Sequence, residues 1–169
     1  AADLRLDDRT RLRTQLRDAG CEPAPGASDA GLLAGALDAW GAEAAVRLVG
    51  DFAFAALDRR TRRVIAARGN RGVKLLFVAR TPDMVACSND VDLLAALPGV
   101  DATIDPRAVA EFLQSGAPWS TERTFRRGVA RVPASSQWEG SPSGETRVRR
   151  IWEFPQFPRT DVRSFQDSG

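Results

Sequence analysis

One stretch, GDFAFAALDRRTRRVIAARGNRGVKLLF at residues 50–77, constrains the fold more than any other part of the chain. FAFAAL is a nearly continuous apolar run of strand length, which is typical of a strand buried on both faces. DRRTRR predicts a turn, and VIAA predicts the antiparallel partner of the first strand. Beyond GNRG, the runs VKLLFVA and MVACS predict two further strands separated by the turn TPD. We therefore expect four strands in an antiparallel meander.

The rest of the chain divides into helical and extended segments. Asp7, Ser28 and Asp105 are good N-caps, and Pro106 suits the first position of a helix. Helices followed by strands, and again helices followed by strands, predict an α+β fold with stacked layers. Helices are expected in residues 7–20, 28–41, 90–97 and 105–116, with a helical turn in 42–48, and strands in 3–6, 128–133, 135–139 and 146–152.

Length and composition exclude several classes of protein. A chain of 169 residues suits one domain with a sizeable core. Its 24 basic and 22 acidic side chains interleave to a net charge of +2, which argues against a nucleic-acid binder. There is no apolar run long enough to span a membrane and no visible signal peptide, so we expect a cytoplasmic protein. Because the sequence has no histidine, Ser–His and Cys–His catalysis and His-ligated metal sites are excluded in this chain.

The residues that could carry chemistry have simpler structural interpretations. The run Gly69–Lys74, GNRGVK, offers flexible glycines and a lysine, but its spacing departs from that of a phosphate-binding loop, and a strand follows it. It is better interpreted as a sharp connection between strands. Cys87 is expected to be a buried structural thiol, and Cys21 an exposed thiol in a loop, with no disulfide between them. The arginines of RRTRR are expected to be solvated. No metal site is predicted.

Taken in order, the motifs resemble a known family. They are SDAGLL, WG, RLVGDFAFAALDRRTRRVIAARGNRGVKLLFVA, SND, LLAALPGV, IDPRAVAEFL, RTFRRGVARVPA and GETRVRRIWEF. This series is similar to the class II glutamine amidotransferase domain of the asparagine synthetase family, over about residues 3–154. The resemblance implies a four-layer α/β/β/α sandwich of the Ntn-hydrolase type, with two antiparallel sheets between helices. Within it, Arg68, Gly72 and Lys74 match the family's R-D-x-x-G-x-K-P-L corner, although Gly69 and Leu75 replace its aspartate and proline.

The same resemblance indicates what the active site of such a domain requires. Glutamine hydrolysis there uses an N-terminal cysteine whose own α-amino group acts as the base. Here the numbering begins at Ala1, and the strand that would carry this cysteine is missing or precedes it. The glutamine-holding Asn-Gly-Glu aligns with Asp3-Leu4-Arg5, where Arg5 would repel a substrate ammonium group. Asp29 matches a family acid that helps to hold the glutamine amino group.

These departures resemble family members that form amide bonds without glutamine, such as lasso-peptide cyclases and β-lactam-forming synthetases. We therefore expect residues 1–154 to be a vestigial, non-catalytic glutaminase-like domain, and residues 155–169 a linker or docking tail. ATP and magnesium would be bound by a synthetase domain outside these residues, which is the expected partner, together with a precursor peptide as substrate. Two alternatives remain open. One is an active glutaminase preceded by a cysteine-initiated segment, and the other is a free-standing binding module.

Overall fold

The computed structural model describes residues 1–116 and 119–153. The described part contains five α-helices, eight β-strands and a 3₁₀ turn at Gly41–Glu43. The helices are α1 (Arg9–Asp18), α2 (Asp29–Trp40), α3 (Ala44–Arg47), α4 (Val91–Ala95) and α5 (Pro106–Ser115). The strands are β1 (Ala2–Leu6), β2 (Gly50–Asp58), β3 (Arg63–Arg68), β4 (Phe77–Arg80), β5 (Val85–Ser88), β6 (Val129–Arg131), β7 (Ser136–Gly140) and β8 (Arg147–Arg150).

The strands form two antiparallel sheets. The large sheet has the order β1-β2-β3-β7-β8, and the small sheet has the order β5-β4-β6. In the large sheet Phe54 lies opposite Ala67, and Ala66 lies opposite Trp138. The prediction of a mixed α and β fold with two antiparallel sheets is confirmed.

The prediction of one four-stranded meander is wrong. β2 and β3 form a hairpin in the large sheet, whereas β4 and β5 form a hairpin in the small sheet. The chain changes sheets between Gly69 and Leu76, so the predicted strand VKLLFVA is reduced to Phe77–Arg80. A turn at Gly72, with φ of +61°, interrupts the extended backbone there.

β2 is fully buried only at its centre, from Phe52 to Phe54. Phe52 and Phe54 pack against the helices, and Ala53 faces the small sheet. Farther along, Leu57 is 61% exposed on the same strand. The apolar run therefore predicted the central part of the strand correctly and overestimated the burial of its end.

Three apolar cores hold the elements together. In the first, Leu12, Leu16 and Leu32 of α1 and α2 pack against the large sheet. In the second, Trp138 of the large sheet packs against residues of the small-sheet side. In the third, Leu94 of α4 packs against the outer face of the small sheet. The residues buried between the sheets are Ala53, Ala66, Leu76, Val78, Val132 and Trp138.

Helix capping follows the sequence with one correction. Ser28 accepts a hydrogen bond from the Gly31 N–H at 3.2 Å, and Asp105 caps α5, as predicted. The N-cap of α1 is Asp8 rather than Asp7, because Asp8 accepts from the Arg11 N–H at 3.3 Å. Asp7 instead forms an ion pair with Arg5.

No described helix is both long and apolar enough to cross a lipid bilayer. The tail predicted at residues 155–169 lies outside the described residues.

Phe54→Ala should lower the free energy of unfolding by about 3–5 kcal/mol, because it leaves a cavity in a fully buried site on the large sheet. Leu57→Ala on the same strand should change it by less than about 0.5 kcal/mol. Urea unfolding of both variants measures the difference. Equal losses for the two variants would contradict this assignment of the core.

Candidate functional site

The corner after β3 is organised around one buried guanidinium group. Arg68 is 4% exposed and donates three hydrogen bonds to backbone carbonyls. Its Nε lies 2.7 Å from the Lys74 oxygen, and its terminal nitrogens lie 2.6 Å from the oxygens of Gly72 and Val132. Burial, with a smaller contribution from the nearby Arg131 charge, lowers the pKa of Arg68. The guanidinium thus joins the corner to the segment that links β6 and β7.

Gly72 allows this arrangement because no side chain would fit there. A Cβ atom would lie 2.8 Å from Cβ of Ala134 and 3.3 Å from a terminal nitrogen of Arg68. The backbone is also in the left-handed region, which glycine adopts at little cost.

Lys74, the one lysine in the sequence, forms an ion pair with Asp3 of β1 at 2.9 Å. Its ammonium group is therefore already balanced by a carboxylate of the same chain. Together with the three carbonyls bound by Arg68, this leaves the corner without a free cation directed at a phosphate. The corner connects β3 of the large sheet to β4 of the small sheet.

Beside the corner, Asp51 of β2 lies between two arginines. Its carboxylate accepts from Arg5 at 2.9 Å and from two nitrogens of Arg71 at 3.0 and 2.7 Å. The hydrogen bonds from Arg5, and then from Arg71, lower the pKa of Asp51 below its usual value. Arg5 also contacts Asp7 at 3.1 Å. The bond to Asp51, and then the charges of Asp7 and Asp51, raise the pKa of Arg5.

Asp29, the predicted substrate ligand, lies at the start of α2 and contacts neighbouring elements. Its Oδ2 accepts from the Leu6 N–H at 2.9 Å, which ties the end of β1 to α2. Its Oδ1 has no well-aligned hydrogen bond and lies 3.3 Å from Nε of Arg9. The carboxylate is 22% exposed and contributes to raising the Arg5 pKa, so Asp29 and Arg5 share one electrostatic environment.

A cleft of about 290 Å³ opens between the two sheets next to Asp3. Apolar groups of Ala53 and Leu76 line it, together with Cys87, Ser88 and Asn89 of the small-sheet side. Burial raises the pKa of the Cys87 thiol to about 11, so it stays protonated and weakly nucleophilic at neutral pH. Cys87 was expected to be buried but is half-buried, and its raised pKa agrees with the interpretation of a structural thiol.

Two further sequence predictions concern residues outside this cleft. Cys21 was expected to be exposed, but it is half-buried and packs against the core of α1 and α2, close to Gly35. Both cysteines are free thiols in the structure. Within residues 1–116 and 119–153, no three side chains of the metal-binding types cluster. The corner and the cleft therefore present neither a metal-ligand cluster nor a phosphate cradle to fit ATP and magnesium.

Sequence reasoning missed Asp51. It follows Gly50 at the start of an apolar strand, and a single acid at such a position is usually a solvated strand end. The one feature of the sequence that could have pointed to Asp51 was the glycine beside it. Gly50 has φ of +141°, and a Cβ atom there would lie 2.1 Å from the Arg5 oxygen, so β1 and β2 are in very close contact beside Asp51.

A comparison with protein families matches residues 8–152 to the glutamine amidotransferase domain. Among curated sequences, proteins of Mycobacterium bovis and Mycobacterium tuberculosis that are provisionally named glutamine-hydrolysing asparagine synthetases are 35% identical over 130 residues. The matched region is 75% of this chain and 19% of those proteins, so the chain spans about a fifth of their length.

Two solved structures share the fold. One is glutamine phosphoribosylpyrophosphate amidotransferase from B. subtilis, complexed with ADP and GMP, with a TM-score of 0.53 and 17% identity. The other is described as the allosteric regulatory enzyme of purine biosynthesis, with a TM-score of 0.52 and 17% identity. Each alignment covers 90% of this chain and 28% of the other.

Gly72→Ala should lower the free energy of unfolding by about 2–3 kcal/mol, because it adds a contact with Ala134 to the strain of a left-handed backbone. Gly26→Ala is the matched control, since Gly26 has φ of +72° and open space around its Cβ position. Gly26→Ala should lower the free energy of unfolding by about 1 kcal/mol, because it adds only the strain of a left-handed backbone. Chemical denaturation distinguishes the two, and equal costs would show that the corner tolerates a side chain.

Acidification should destabilise the wild-type chain through Asp51. Because its pKa in the folded state is lowered, the stabilisation is present above the unfolded pKa of about 3.9 and is lost as the pH falls through the folded pKa. Asp51→Asn should remove this contribution, so its unfolding midpoint should fall less than that of wild type between pH 6 and pH 3. Asp18→Asn, at the exposed end of α1, should behave like wild type. Identical pH profiles for wild type and Asp51→Asn would exclude the proposed stabilisation.

Proposed function

Because its sequence matches over residues 8–152, the chain belongs to the glutamine amidotransferase domain family, and we propose that it is a non-catalytic member of that family. In this proposal it is the glutaminase-like domain of an ATP-dependent, amide-forming homologue of asparagine synthetase. It supports the synthetase portion mechanically and does not supply ammonia. Lasso-peptide macrocyclases are the branch that its N-terminal strand most resembles.

The observation that carries the proposal is the environment of Arg5. The family resemblance requires a carboxylate at this position to hold the ammonium group of glutamine. Arg5 instead places a permanent positive charge there, between Asp7 at 3.1 Å and Asp51 at 2.9 Å. A substrate ammonium would meet a like charge, and it would also have to displace an existing ion pair.

Asp29 also has a structural role in this proposal. Its Oδ2 accepts the Leu6 N–H, and its Oδ1 contacts Arg9, so neither oxygen is directed only at a ligand. The corner of Arg68, Gly72 and Lys74 is likewise a structural element that connects the two sheets. The three apolar cores support a four-layer arrangement in which both sheets lie between helices.

The parent protein is inferred from the length of the relatives. Since the matched region is 19% of the mycobacterial proteins, most of an asparagine synthetase homologue would lie outside residues 1–169. In the proposal, that portion binds ATP and magnesium, forms an acyl-adenylate and accepts a precursor peptide. Two free thiols fit a reducing cytoplasm.

A second candidate is an active glutaminase. Two observations favour it: the relatives are named as glutamine-hydrolysing, and Asp29 retains a carboxylate where the resemblance places one. This candidate requires a cysteine-initiated segment before Ala1. The permanent charge of Arg5 would then have to be tolerated beside the substrate.

The natural protein, expressed from its complete gene, should release glutamate from glutamine no faster than a protein-free blank, with or without ATP and magnesium. A glutamine-hydrolysing asparagine synthetase assayed in parallel is the positive control. Release above the blank that Asp29→Asn abolishes would support the second candidate and overturn the first. Sequencing of the natural N-terminus, by showing whether a cysteine initiates the mature chain, decides between them independently.

A further inference from the structure

Helix α5 exposes the apolar stripe that would normally hold a helix to its domain. Ala108, Val109, Phe112 and Leu113 recur at helical spacing on one side of it. Only Ala108 of α5 is buried, and Leu113 at the far edge of the stripe is 79% exposed. The stripe therefore runs from the protein core out into solvent, where Phe112 is 45% exposed and Leu113 is the most exposed of its residues.

Two aromatic residues outside the helix extend this surface. Phe125 packs edge-on against Phe112, with ring centroids 5.6 Å apart and an interplanar angle of 83°. Trp119 lies against the helix and is 67% exposed. Together with Leu113 it lines a shallow groove of about 560 Å³. Phe112, Leu113, Trp119 and Phe125 are called the α5 surface below.

Hydrogen bonds hold Trp119 in place. Its indole N–H donates to Oγ of Ser115 at 2.9 Å, and its backbone N–H donates to Oε2 of Glu111 at 3.0 Å. The polar edge of the ring is thereby satisfied within the domain, while its large apolar face remains in solvent. A fixed aromatic side chain loses little conformational entropy on binding, which makes Trp a frequent energetic centre of interfaces.

Three charged side chains beside the α5 surface pair with one another. Arg123 forms ion pairs with Glu111 and with Asp105, the latter at 3.3 Å. These three side chains connect the helix to the following segment and are each largely buried. The groove is lined by Leu113, Ala110 and Trp119 together with the polar side chains of Arg107, Glu111 and Gln114, a mixture that is typical of a protein–protein interface with an apolar centre and a polar rim.

We propose that the α5 surface is the docking site of the synthetase portion of the parent protein, an inference that rests on the proposed function. Contiguous exposed apolar patches are uncommon on isolated domains and usually mark an interface. The occupant is identified by length: the matched region makes up 19% of the mycobacterial proteins, so a body several times larger accompanies it in them. The α5 surface carries the two most exposed large apolar side chains of the described residues, Leu113 at 79% and Trp119 at 67%.

Hydroxyl-radical footprinting of the natural full-length protein and of the 1–169 chain tests the proposal. Trp119 and Phe112 should be oxidised about fivefold more slowly in the full-length protein, because a side chain in an interface core loses most of its exposed surface. Leu57, 61% exposed on β2 and outside the α5 surface, should be oxidised at the same rate in both. In the full-length protein, Leu113→Glu should restore fast oxidation of Trp119, and Leu57→Glu should leave its protection unchanged.

Each other outcome overturns the inference in a distinguishable way. Equal oxidation of Trp119 in the two proteins, when the full-length chain carries an ATP-binding portion, would place the interface elsewhere and leave the proposed function intact. If the intact mass of the natural protein left no room for an ATP-binding portion, both the docking proposal and the proposed function would be wrong. Protection of Trp119 in the 1–169 chain that grows with protein concentration, with dimers in analytical ultracentrifugation, would identify a second copy as the occupant.

Discussion

The arrangement of the two sheets depends on the buried guanidinium of Arg68. Burying a charge is costly unless hydrogen bonds replace its water, and here three backbone carbonyls do so. Two of them belong to the corner at Gly72 and Lys74, and the third is that of Val132 in the small-sheet region. One side chain thus fixes the path by which the chain leaves the large sheet, and with it the position of the lysine that pairs with β1.

This constraint determines the electrostatics of the site. With the corner fixed, Lys74 meets Asp3, and Arg71 meets Asp51, which also binds Arg5. The strand on which the family resemblance places the glutamine-holding residues is thereby part of a closed set of ion pairs. In exposed positions each ion pair contributes little to stability. The pairs are important here because they already engage the charged side chains of β1 and its neighbours. The proposed loss of glutamine binding and the scaffold role both follow from this pairing.

Local signals predicted most of the secondary structure, because caps, turns and apolar periods act over a few residues. Ser28, Asp105 and Pro106 marked two helices correctly, whereas Asp7 and Asp8 were confused because either aspartate can cap α1. The prediction of one four-stranded meander was wrong because four strands of a single sheet and two hairpins in different sheets have the same local sequence pattern. Asp51 was missed for a related reason: its partners Arg5 and Arg71 are 46 and 20 residues away.

The sequence by itself determined most of the secondary-structure elements, the absence of histidine chemistry and the resemblance to an amidotransferase domain, since these depend on residue types and short spacings. Only the tertiary structure decided which strands share a sheet, which carboxylates are already paired and which apolar stripe stays exposed. Leu113 and Leu16 are both leucines at helical spacing, yet one is 79% exposed and the other is fully buried. That difference arises because burial depends on what the rest of the chain places opposite each helix, and a local pattern does not contain this information.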